Sequence, residues 1–522
     1  MIVHGGADDG SVSSLGADVW PSLARANHKI PYSPFHCFVG EASRLGRCPG
    51  LRLSDRRRLR FVCRVDVCPE RDSGNTATAF NSDASWSGGG APTSANTVEF
   101  SGTPAFQPNV SAAITVQALR FSSGDGWTLS GSGGAVTVLL VGQALWLNTG
   151  TNVATATINA NVIFGAATNN TQTVVSGSSN TLTLNGVLSS TNSLNVSLNN
   201  AGTFVLNGVN TYTGTTLWNN SSRTTIVGNA AAFGTSSLAF NTTSNTIKAG
   251  ADLTGANKLT NPITFVSSPT FKNDLGYNLE LGGTVSLSGG PTLTANTGTT
   301  SFSGAISGAS VTLAGANGGK FVFTGANTYT DGTTIPSGGA LVLGSATTLH
   351  SATGTLLVSG GALTTSVAAT TVGGDLTFSS GTIALNGPSA GSLTLAAGKT
   401  FTMSGGTLNL TLGAAFDQIV SAGSAALSLS GGTISFDTSG AGFSYASSYR
   451  IFSGFASTSF GSVSLSGYDT SGYTGAISDA GMLTFSATAI PEPSTYAALV
   501  GALALGFAEW RRRRAHDTKP QS

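Results

Sequence analysis

The sequence predicts an all-β protein, in which a parallel β-helix, or solenoid, is followed by a single hydrophobic helix at the C-terminus. Two observations support this prediction. Between residues 73 and 488, short runs of Val, Leu, Ile, Phe and Thr alternate with Gly, Asn and Ser, as in residues 181–184 and 321–323. This is the pattern of short strands joined by turns. An apolar run of helical character occurs only beyond residue 489, so the body should consist of strands.

The composition divides the chain into three segments. Glycine accounts for 70 of the 522 residues, and only 9% of the residues are charged, against about 25% in an ordinary globular domain. Residues 1–72 hold 11 of the 24 Lys and Arg residues and all four cysteines, whereas only eight Lys and Arg residues lie between residues 73 and 510. A net charge of +1 without a basic stripe gives no electrostatic basis for binding nucleic acid.

Two copies of a sequence repeat lie within the body. GTFVLNGVNTYTGTT spans residues 202–216, and it returns as GKFVFTGANTYTDGTT at residues 319–334 with Asp331 inserted. The copies suggest a unit made of a strand, a glycine-containing turn and a second extended run. The residues that define the repeat are Asn210, Tyr212 and Gly214 in the first copy, and Asn327, Tyr329 and Gly332 in the second.

Units of this size cannot bury a core alone, so they must stack on one another. A parallel β-helix meets this need, because Val, Leu, Ile and Phe point inward, Asn and Thr form side-chain ladders, and Gly occupies corners with positive φ. Turns of roughly 20–25 residues, stacked about 4.8 Å apart, would give a rod on the order of 90 Å long. A β-sandwich array or a propeller is the alternative, since weaker copies of the strand motif, such as SGTIALNG at residues 380–387, GGTLNLTLG at 405–413 and SGGTISFD at 430–437, are irregularly spaced.

The repeat G-x-F-V-L-x-G-x-N-T-Y-T-G-x-T resembles the autotransporter-associated β-strand repeat of bacterial passenger domains. The resemblance implies a right-handed parallel β-helix that is exported and displayed on the cell surface. Residues 86–100 resemble the segment that often precedes such repeats, and the aromatic-rich residues 444–488 are expected to cap the open end of the β-helix. The chain departs from an autotransporter because no run of amphipathic strands follows the body.

Residues 1–72 differ from the rest of the chain. The four cysteines are separated by 10, 14 and 4 residues, whereas a zinc site usually contains ligand pairs about two to four residues apart. Only the last pair meets this spacing, so no metal site is predicted. No apolar segment of about 7–15 residues lies near the N-terminus, as a secretory signal would require. We expect this Arg- and Cys-rich segment to be either poorly ordered or the product of a misassigned start.

The C-terminal segment has three parts in a fixed order. It opens on an extended polar lead-in, because each proline fixes its own φ and disfavours a helix before it. An apolar run at residues 496–507 follows, and four arginines close the segment. An apolar helix closed by a basic cluster is typical of a segment that stops in a membrane, although twelve residues fall short of the roughly 20 needed for a full span. The residues of the lead-in and the cluster are Pro491, Glu492, Pro493, Arg511, Arg512, Arg513 and Arg514.

The order PEPST, apolar run and RRRR resembles the PEP-CTERM sorting signal of bacterial envelope proteins. The resemblance implies recognition by an exosortase, a membrane transpeptidase-like cysteine protease, and cleavage near the Pro-Glu-Pro motif. Residues 489–514 would hold the chain in the membrane transiently through a short transmembrane helix, with residues 515–522 in the cytoplasm. The mature chain would then pass to the cell surface or the extracellular matrix. The resemblance thus implies that this segment is a processing address and not part of a fold.

The sequence predicts no catalytic, cofactor-binding or metal-binding residues. Glycosidases need a pair of carboxylates about 5–9.5 Å apart, and the acidic residues of the body form no close cluster in the sequence. Lys248 and Lys272 each have one acidic neighbour, Asp252 and Asp274 respectively, which is more typical of a surface ion pair than of a site. Asp417 lies beside a turn and is expected to cap it.

We therefore expect an exported structural or adhesin-like protein of the cell envelope, cell surface or extracellular matrix. Its expected partners are an exosortase during processing and, after sorting, extracellular polysaccharide. The alternative is a carbohydrate-active enzyme, either a polysaccharide lyase or a glycosidase, built on a β-helix. Carboxylates gathered on one face of the folded chain would favour that alternative. A plain cytoplasmic protein is a third hypothesis, which only the missing signal peptide supports.

Overall fold

A computed structural model describes most of the chain outside the N-terminal segment. The described residues form 44 β-strands, two short 3-10 helices and one α-helix. Most of the Arg- and Cys-rich segment 1–72 lies outside the described residues, as do Pro491 and Glu492. The described residues are 65–66, 78–86, 90–102, 104–122, 124–147, 154–220, 222–346, 349, 351, 353–385, 387, 389–488 and 493–516.

The strands are short and follow one another along the whole body. The first fifteen are β1 Val65–Asp66, β2 Thr78–Ala79, β3 Thr97–Phe100, β4 Pro108–Val110, β5 Ile114–Val116, β6 Ala118–Phe121, β7 Trp127–Gly131, β8 Ala135–Val138, β9 Gly142–Leu147, β10 Thr155–Ile158, β11 Asn161–Phe164, β12 Thr171–Ser176, β13 Thr181–Leu184, β14 Leu188–Ser190 and β15 Leu194–Asn199. The next fifteen are β16 Thr203–Leu206, β17 Gly214–Trp218, β18 Thr224–Val227, β19 Ser237–Phe240, β20 Thr246–Ala249, β21 Ile263–Phe265, β22 Thr270–Lys272, β23 Leu279–Leu281, β24 Val285–Leu287, β25 Thr292–Thr297, β26 Thr299–Phe302, β27 Ile306–Gly308, β28 Val311–Gly315, β29 Lys320–Phe323 and β30 Gly332–Pro336.

The remaining strands include the longest ones, and the α-helix follows them. The strands are β31 Ala340–Leu343, β32 Thr355–Thr365, β33 Ala369–Val372, β34 Asp375–Ala384, β35 Ser392–Leu395, β36 Phe401–Met403, β37 Thr407–Thr411, β38 Gln418–Leu429, β39 Thr433–Asp437, β40 Tyr449–Arg450, β41 Phe452–Phe460, β42 Ser464–Ser466, β43 Tyr473–Ile477 and β44 Met482–Ala487. The helices are the 3-10 helices Asp83–Ser85 and Gly255–Asn257, and the α-helix α1, Pro493–His516.

The strands stack in parallel and form a β-solenoid of about 14 turns. Thr181, Thr203, Thr224, Thr246 and Thr270 pair in succession, so that one turn takes 21 to 24 residues in this part of the chain. The predicted all-β parallel solenoid and its predicted turn length are therefore confirmed. A β-sandwich array or a propeller is not the fold, because parallel pairing between successive turns builds the body.

The solenoid is shorter than the predicted rod. At about 4.8 Å per turn, about 14 turns extend roughly 65 Å. The difference arises because some turns contain long corners, as in the step from Ile419 to its partner Phe452 in the next turn. Residues in such corners lengthen a turn without adding a new one to the stack.

Three ladders of hydrogen-bonded strands run along the solenoid. The first has the order β1-β3-β6-β9-β12-β15-β17-β19-β21-β24-β27. The second passes through β7-β10-β13-β16-β18-β20-β22-β25-β28-β30-β32. The third begins as β5-β8-β11-β14 and resumes as β23-β26-β29-β31-β32. In the last turns β32, β34 and β38 each bend at a corner and so contribute to two ladders.

Side chains alternate between the interior and the outer surface along the strands. In β13, Leu182 and Leu184 are buried, while Thr181 and Thr183 face outward and are half-buried. The inward side chains of successive turns form one continuous apolar cluster. Each buried Leu or Phe stabilises the fold by about 1.5–3 kcal/mol relative to an exposed one, so the core depends on every turn meeting its neighbours in register.

Asparagine side chains form hydrogen-bonded ladders on the outer corners. Asn185 Nδ2 donates to Asn159 Oδ1 at 2.8 Å, and Asn207 Nδ2 donates to Asn185 Oδ1 at 2.8 Å. A second ladder joins Asn241 Nδ2 to Asn219 Oδ1 at 2.8 Å. The predicted asparagine ladders are thus present, and each rung gives neighbouring turns a further contact at a fixed register.

The repeat glycines lie in close contact with the backbone of a neighbouring turn. Gly214 has φ 109° and Gly332 has φ 98°, values that side chains with a Cβ rarely adopt. A Cβ at Gly214 would collide with the backbone carbonyl of Leu194, and one at Gly332 would collide with the backbone of Thr355. Both positions therefore require glycine, because the backbone has a positive φ and because no room is left for a Cβ. The sequence predicts such glycines at corners.

The pairing changes near the C-terminal end of the body. The second and third ladders end with β41 and β42, which pair in parallel with β38 and β39. A three-stranded antiparallel sheet, in the order β40-β44-β43, follows them. Aromatic rings gather around it, with Tyr445 stacked on Tyr473 at 3.8 Å between centroids. That residues 444–488 act as a cap stays a prediction.

Helix α1 exposes its apolar side chains. Leu503 is 67% exposed and Leu505 is 74% exposed. Among the residues that the structure describes, no helix combines the length and the apolar character needed to span a membrane. The single C-terminal helix is confirmed, whereas its predicted transmembrane crossing stays a prediction. Glu509 and four arginines follow the short apolar run within the same helix.

The close approach at Gly214 leads to a first prediction. We expect Gly214→Ala to lower the free energy of unfolding by about 1–3 kcal/mol, because the new Cβ adds both strain and a collision. Gly398→Ala is the matched control, since Gly398 also has a positive φ of 75° but open space around the position of a Cβ. Urea denaturation of both variants measures the difference. Equal losses would show that strain alone, and not the contact between turns, determines the effect.

Candidate binding surface of the solenoid

The repeat asparagines connect neighbouring turns at a buried corner. Asn210 Oδ1 accepts a hydrogen bond from the backbone N–H of Leu188 at 2.7 Å, and Asn210 Nδ2 donates to the carbonyl of Ala232 at 2.6 Å. Asn327 Oδ1 accepts the N–H of Ile306 at 3.1 Å in the same way. Each side chain thus replaces a ladder hydrogen bond where the backbone turns. The role of these residues is structural.

The repeat tyrosines are buried in the core. The hydroxyl of Tyr212 lies 2.9 Å from Thr216 Oγ1, which in turn lies 2.8 Å from Ser236 Oγ in the next turn. Tyr329 and Thr333 repeat the contact at 2.5 Å. Burial raises the pKa of Tyr212 to about 12, so the hydroxyl stays protonated at neutral pH. Tyr212 is therefore linked through Thr216 to the next turn, and both tyrosines are too deeply buried to contact a ligand.

The two copies of the repeat lie on different ladders. The first copy begins in β16 on the second ladder, and the second copy begins in β29 on the third ladder. Gly214 then opens β17 on the first ladder, whereas Gly332 opens β30 on the second. The copies are alike locally but are not separated by a whole number of turns. The repeat thus specifies a corner of the solenoid and does not specify its period.

A row of threonines runs along the outer face of the second ladder. Seven threonines pair in register from one turn to the next, and each faces outward from its strand. At about 4.8 Å per turn the row extends roughly 29 Å along the axis. We call this strip the threonine row. Its members are Thr155, Thr181, Thr203, Thr224, Thr246, Thr270 and Thr294.

Ion pairs lie beside the end of this row. Asp274 Oδ2 lies 3.0 Å from Lys248 Nζ and 3.1 Å from Lys272 Nζ. Burial raises the pKa of Asp274, but the hydrogen bonds from the two lysines outweigh burial and leave the pKa lowered. The predicted Lys272–Asp274 pair is confirmed. Lys248, however, pairs with Asp274 of the following turn rather than with Asp252, because stacking brings residues one turn apart into contact.

A second ion pair adjoins the first. Lys258 Nζ lies 3.5 Å from Glu280 Oε1. The hydroxyl of Ser303 donates to Glu280 Oε1 at 2.5 Å, and the backbone N–H of Gly255 donates to Glu280 Oε2 at 2.8 Å. Burial raises the pKa of Glu280, but these hydrogen bonds outweigh burial, so the pKa is lowered and the carboxylate is charged at neutral pH. Both carboxylates are therefore neutralised by lysines.

Among the described residues of the body, Asp417 is a buried carboxylate, at 1% exposure. Its Oδ1 accepts the backbone N–H of Gly391 at 2.5 Å, and its Oδ2 accepts the N–H of Thr411 at 2.7 Å. Burial raises its pKa to about 6, and Asp437 adds to the rise. Both oxygens are engaged by the backbone, so the predicted capping role is confirmed. The structure thus places Asp437 near Asp417, although the two are apart in the sequence. The contacts described for Asp274, Glu280 and Asp417 each hold one part of the fold to another.

No group of three or more His, Cys, Asp and Glu side chains within the described ranges could hold a metal ion. Of the predicted sorting residues, Pro493 begins α1 and the four arginines lie in its last turns. Arg514 lies 4.5 Å from the ring centroid of Trp510, which keeps the two side chains together on one side of the helix. Pro491 and Glu492 lie outside the described residues.

The sequence missed two features of this surface. The threonine row could have been found by aligning the segments at intervals of about 22 residues, because its members recur at one-turn spacing. The ion pairs of Lys248 with Asp274 and of Lys258 with Glu280 leave no such periodic pattern in the sequence, since the paired residues belong to different turns. Searches of protein-family models, curated proteins and solved structures found no match for this chain.

The tyrosine contact leads to a second prediction. Tyr212→Phe should lower the free energy of unfolding by about 1 kcal/mol, because it removes one buried hydrogen bond while Thr216 keeps Ser236 as a partner. Tyr496→Phe in α1, where the tyrosine is 58% exposed, is the control and should have no effect. Guanidinium denaturation of the two variants measures both. If the free energy of unfolding of Tyr212→Phe equals that of the wild type, the hydroxyl does not help to hold the turns together.

The raised pKa of Asp417 leads to a third prediction. A carboxyl group with a folded pKa of about 6 and an ordinary value of 3.8 binds its proton more tightly in the folded state. The wild type should therefore gain about 1 kcal/mol of stability, relative to Asp417→Asn, as the pH falls from 7 to 5. Denaturation across this range measures the difference. Asp331→Asn, at an exposed carboxyl, is the control, and a pH-independent difference would contradict the assignment.

Proposed function

We propose that this chain is an exported structural or adhesin-like protein of the bacterial cell surface or extracellular matrix. One observation carries the proposal: the solenoid fills its interior with apolar side chains and presents rows of Thr and Asn on the outside. A filled interior leaves the outer surface as the place for a partner. A long, repetitive, polar surface suits contact with other extended molecules better than it suits the enclosure of a small substrate.

The proposal includes sorting through the C-terminal segment. An exosortase would recognise Pro491, Glu492 and Pro493 together with the arginine cluster, and would cleave near the Pro-Glu-Pro motif. The exposed apolar side chains of α1 and the arginines that follow them support contact with a membrane before cleavage, because such a surface is favourable next to lipid and anionic headgroups. After cleavage the solenoid would remain on the outside of the cell.

A carbohydrate-active enzyme is the second candidate. The pKa of Asp417, raised by burial to about 6, is the value that a general acid needs, and this observation alone favours the alternative. Its two oxygens, however, accept backbone N–H groups of Gly391 and Thr411. A carboxyl that caps two segments of backbone has little freedom to reach a glycosidic oxygen, so we place the structural function first.

Intact mass and terminal peptide mapping of the chain from the cell surface and the medium test the sorting proposal. We expect the mature protein to lack everything after the Pro-Glu-Pro motif. Replacing Pro491, Glu492 and Pro493 together by Ala should leave the full-length chain uncleaved. Replacing Lys519 and Pro520 by Ala, downstream of the arginines, is the matched control and should not change processing.

Either of two results would contradict the proposal. One is a full-length wild-type chain found only in the cytoplasm. The other is the same mature mass from the wild type and from the variant without the Pro-Glu-Pro motif. The same peptide map also tests the expected misassigned start, since peptides from residues 1–72 in the surface protein would refute it.

A further inference from the structure

A loop of six residues separates β22 from β23. It connects β22 to β23 and comprises residues 273–278, of which residues 274–278 are exposed. Two of the large apolar side chains that are exposed on the described body lie at its tip, Leu275 at 49% and Tyr277 at 42%. Two exposed apolar side chains on one short loop form a small apolar surface against which a ligand can pack.

The loop is held in place from both of its ends. Asn273 Nδ2 donates to the carbonyl of Thr299 at 2.8 Å, and Asn273 Oδ1 accepts the N–H of Ala249 at 3.3 Å. Asn278 Oδ1 accepts the N–H of Thr299 at 3.3 Å. These hydrogen bonds fix the loop to the turn before it and to the turn after it.

Ion pairs fix the loop as well. Asp274, the first exposed residue of the loop, bridges Lys248 and Lys272 at 3.0 and 3.1 Å. Of the eight Lys and Arg residues between residues 73 and 510, two are used here, in a protein that otherwise has few charges. A loop that is fixed in advance loses little conformational freedom when it binds. The anchoring therefore favours a binding role for the tip over a loosely exposed turn.

The loop borders the threonine row. Thr270 faces outward from β22 two residues before Lys272, and the loop begins at the next residue. The row offers a hydroxyl and a methyl group at each turn, roughly 4.8 Å apart. Tyr277, on the loop that follows β22, offers an apolar ring face with a polar end. Hydroxyl groups in a line next to an aromatic ring suit a chain of sugar rings, which has hydroxyls at its edges and C–H groups on its faces.

The charges at the site indicate an uncharged chain. Lys248 and Lys272 share Asp274, and Lys258 faces Glu280. Together with Asp252, the three lysines and three carboxylates leave no net charge. A polyanion would find lysines that are already paired, and it would have to compete with the carboxylates that hold the loop.

We propose that the threonine row and the loop at residues 273–278 together form a binding site for a neutral linear polysaccharide, which lies along the solenoid axis with one sugar ring against Tyr277. The site deepens the proposed surface function and rests on it. Thr246, Thr270 and Thr294 contact the hydroxyls of successive sugars, and Leu275 covers the ring next to the one on Tyr277. Asp274 positions the loop and does not touch the ligand.

A glycan array tests the site with the full-length protein. The array carries neutral linear oligosaccharides, among them cello-, xylo-, manno- and malto-oligosaccharides, with oligouronates and branched glycans on the same surface. We expect binding to neutral linear chains that strengthens with chain length and changes less than twofold between 0.05 and 0.5 M NaCl. Salt independence follows because no net charge is neutralised.

Tyr277→Ser is the decisive variant, and it should weaken binding at least tenfold. Phe106→Ser is its matched control, because Phe106 is also 42% exposed but lies in an early turn of the solenoid, and it should bind as the wild type does. Asp274→Asn should weaken binding several-fold and speed up hydrogen exchange of the backbone amides at residues 274–278. Circular dichroism and the midpoint of thermal unfolding show that each variant is folded.

Three results would overturn the site: no neutral linear chain bound, binding to oligouronates alone, or equal loss of binding in the Phe106 and Tyr277 variants. The proposed surface function is tested separately by where the variants are found. If Tyr277→Ser reaches the cell surface and is processed as the wild type is, a failure of binding concerns the site alone. If the wild type does not reach the surface but binds the glycan, the site stands and the surface function fails.

Discussion

The parallel register between neighbouring turns is the constraint on which the rest of this structure depends. A short strand such as β13 pairs on both edges with strands of other turns, β10 and β16, so no turn satisfies its backbone alone. Side chains alternate with a period of two, and a slip by one residue would bring Thr181 inward and Leu182 outward. The buried asparagines Asn210 and Asn327 and the outer asparagine ladders hold that register where the strands end.

The low charge of the body follows from this architecture. A solenoid has a narrow interior with no room for hydrated ions, and half of each strand faces that interior. Most charged side chains therefore lie at the outer surface or are paired, as Lys248 and Lys272 are with Asp274. Arg223 is an exception, because it is buried and its guanidinium donates to the backbone carbonyl of Asn220. Asp417 is buried because backbone N–H groups of Gly391 and Thr411 replace the water that it loses. Burial without a lysine beside it raises its pKa, whereas the paired Asp274 has a lowered one.

Function in such a protein is expected at the interruptions of the repeat. Regular turns give stability and a periodic surface, and that surface is the same along much of the axis. A fixed loop that carries the exposed Leu275 and Tyr277 breaks the regularity at one position, and in our proposal this loop gives the row of threonines a defined place for a ligand. The C-terminal helix is a second interruption of another kind, since α1 exposes apolar side chains that no part of the solenoid covers.

The sequence by itself determined the fold class, the turn length and the core, because alternation with a period of two and the glycine- and asparagine-rich corners are local patterns. It also located the C-terminal helix and the capping role of Asp417. Only the tertiary structure decided that the two repeat copies lie on different ladders, and that Lys248 meets Asp274 rather than Asp252. It likewise decided that seven threonines from successive turns form one row on the outer face of the second ladder. The physical reason is that stacking brings together residues a whole turn apart, and corner lengths, which vary from turn to turn, decide which residues those are.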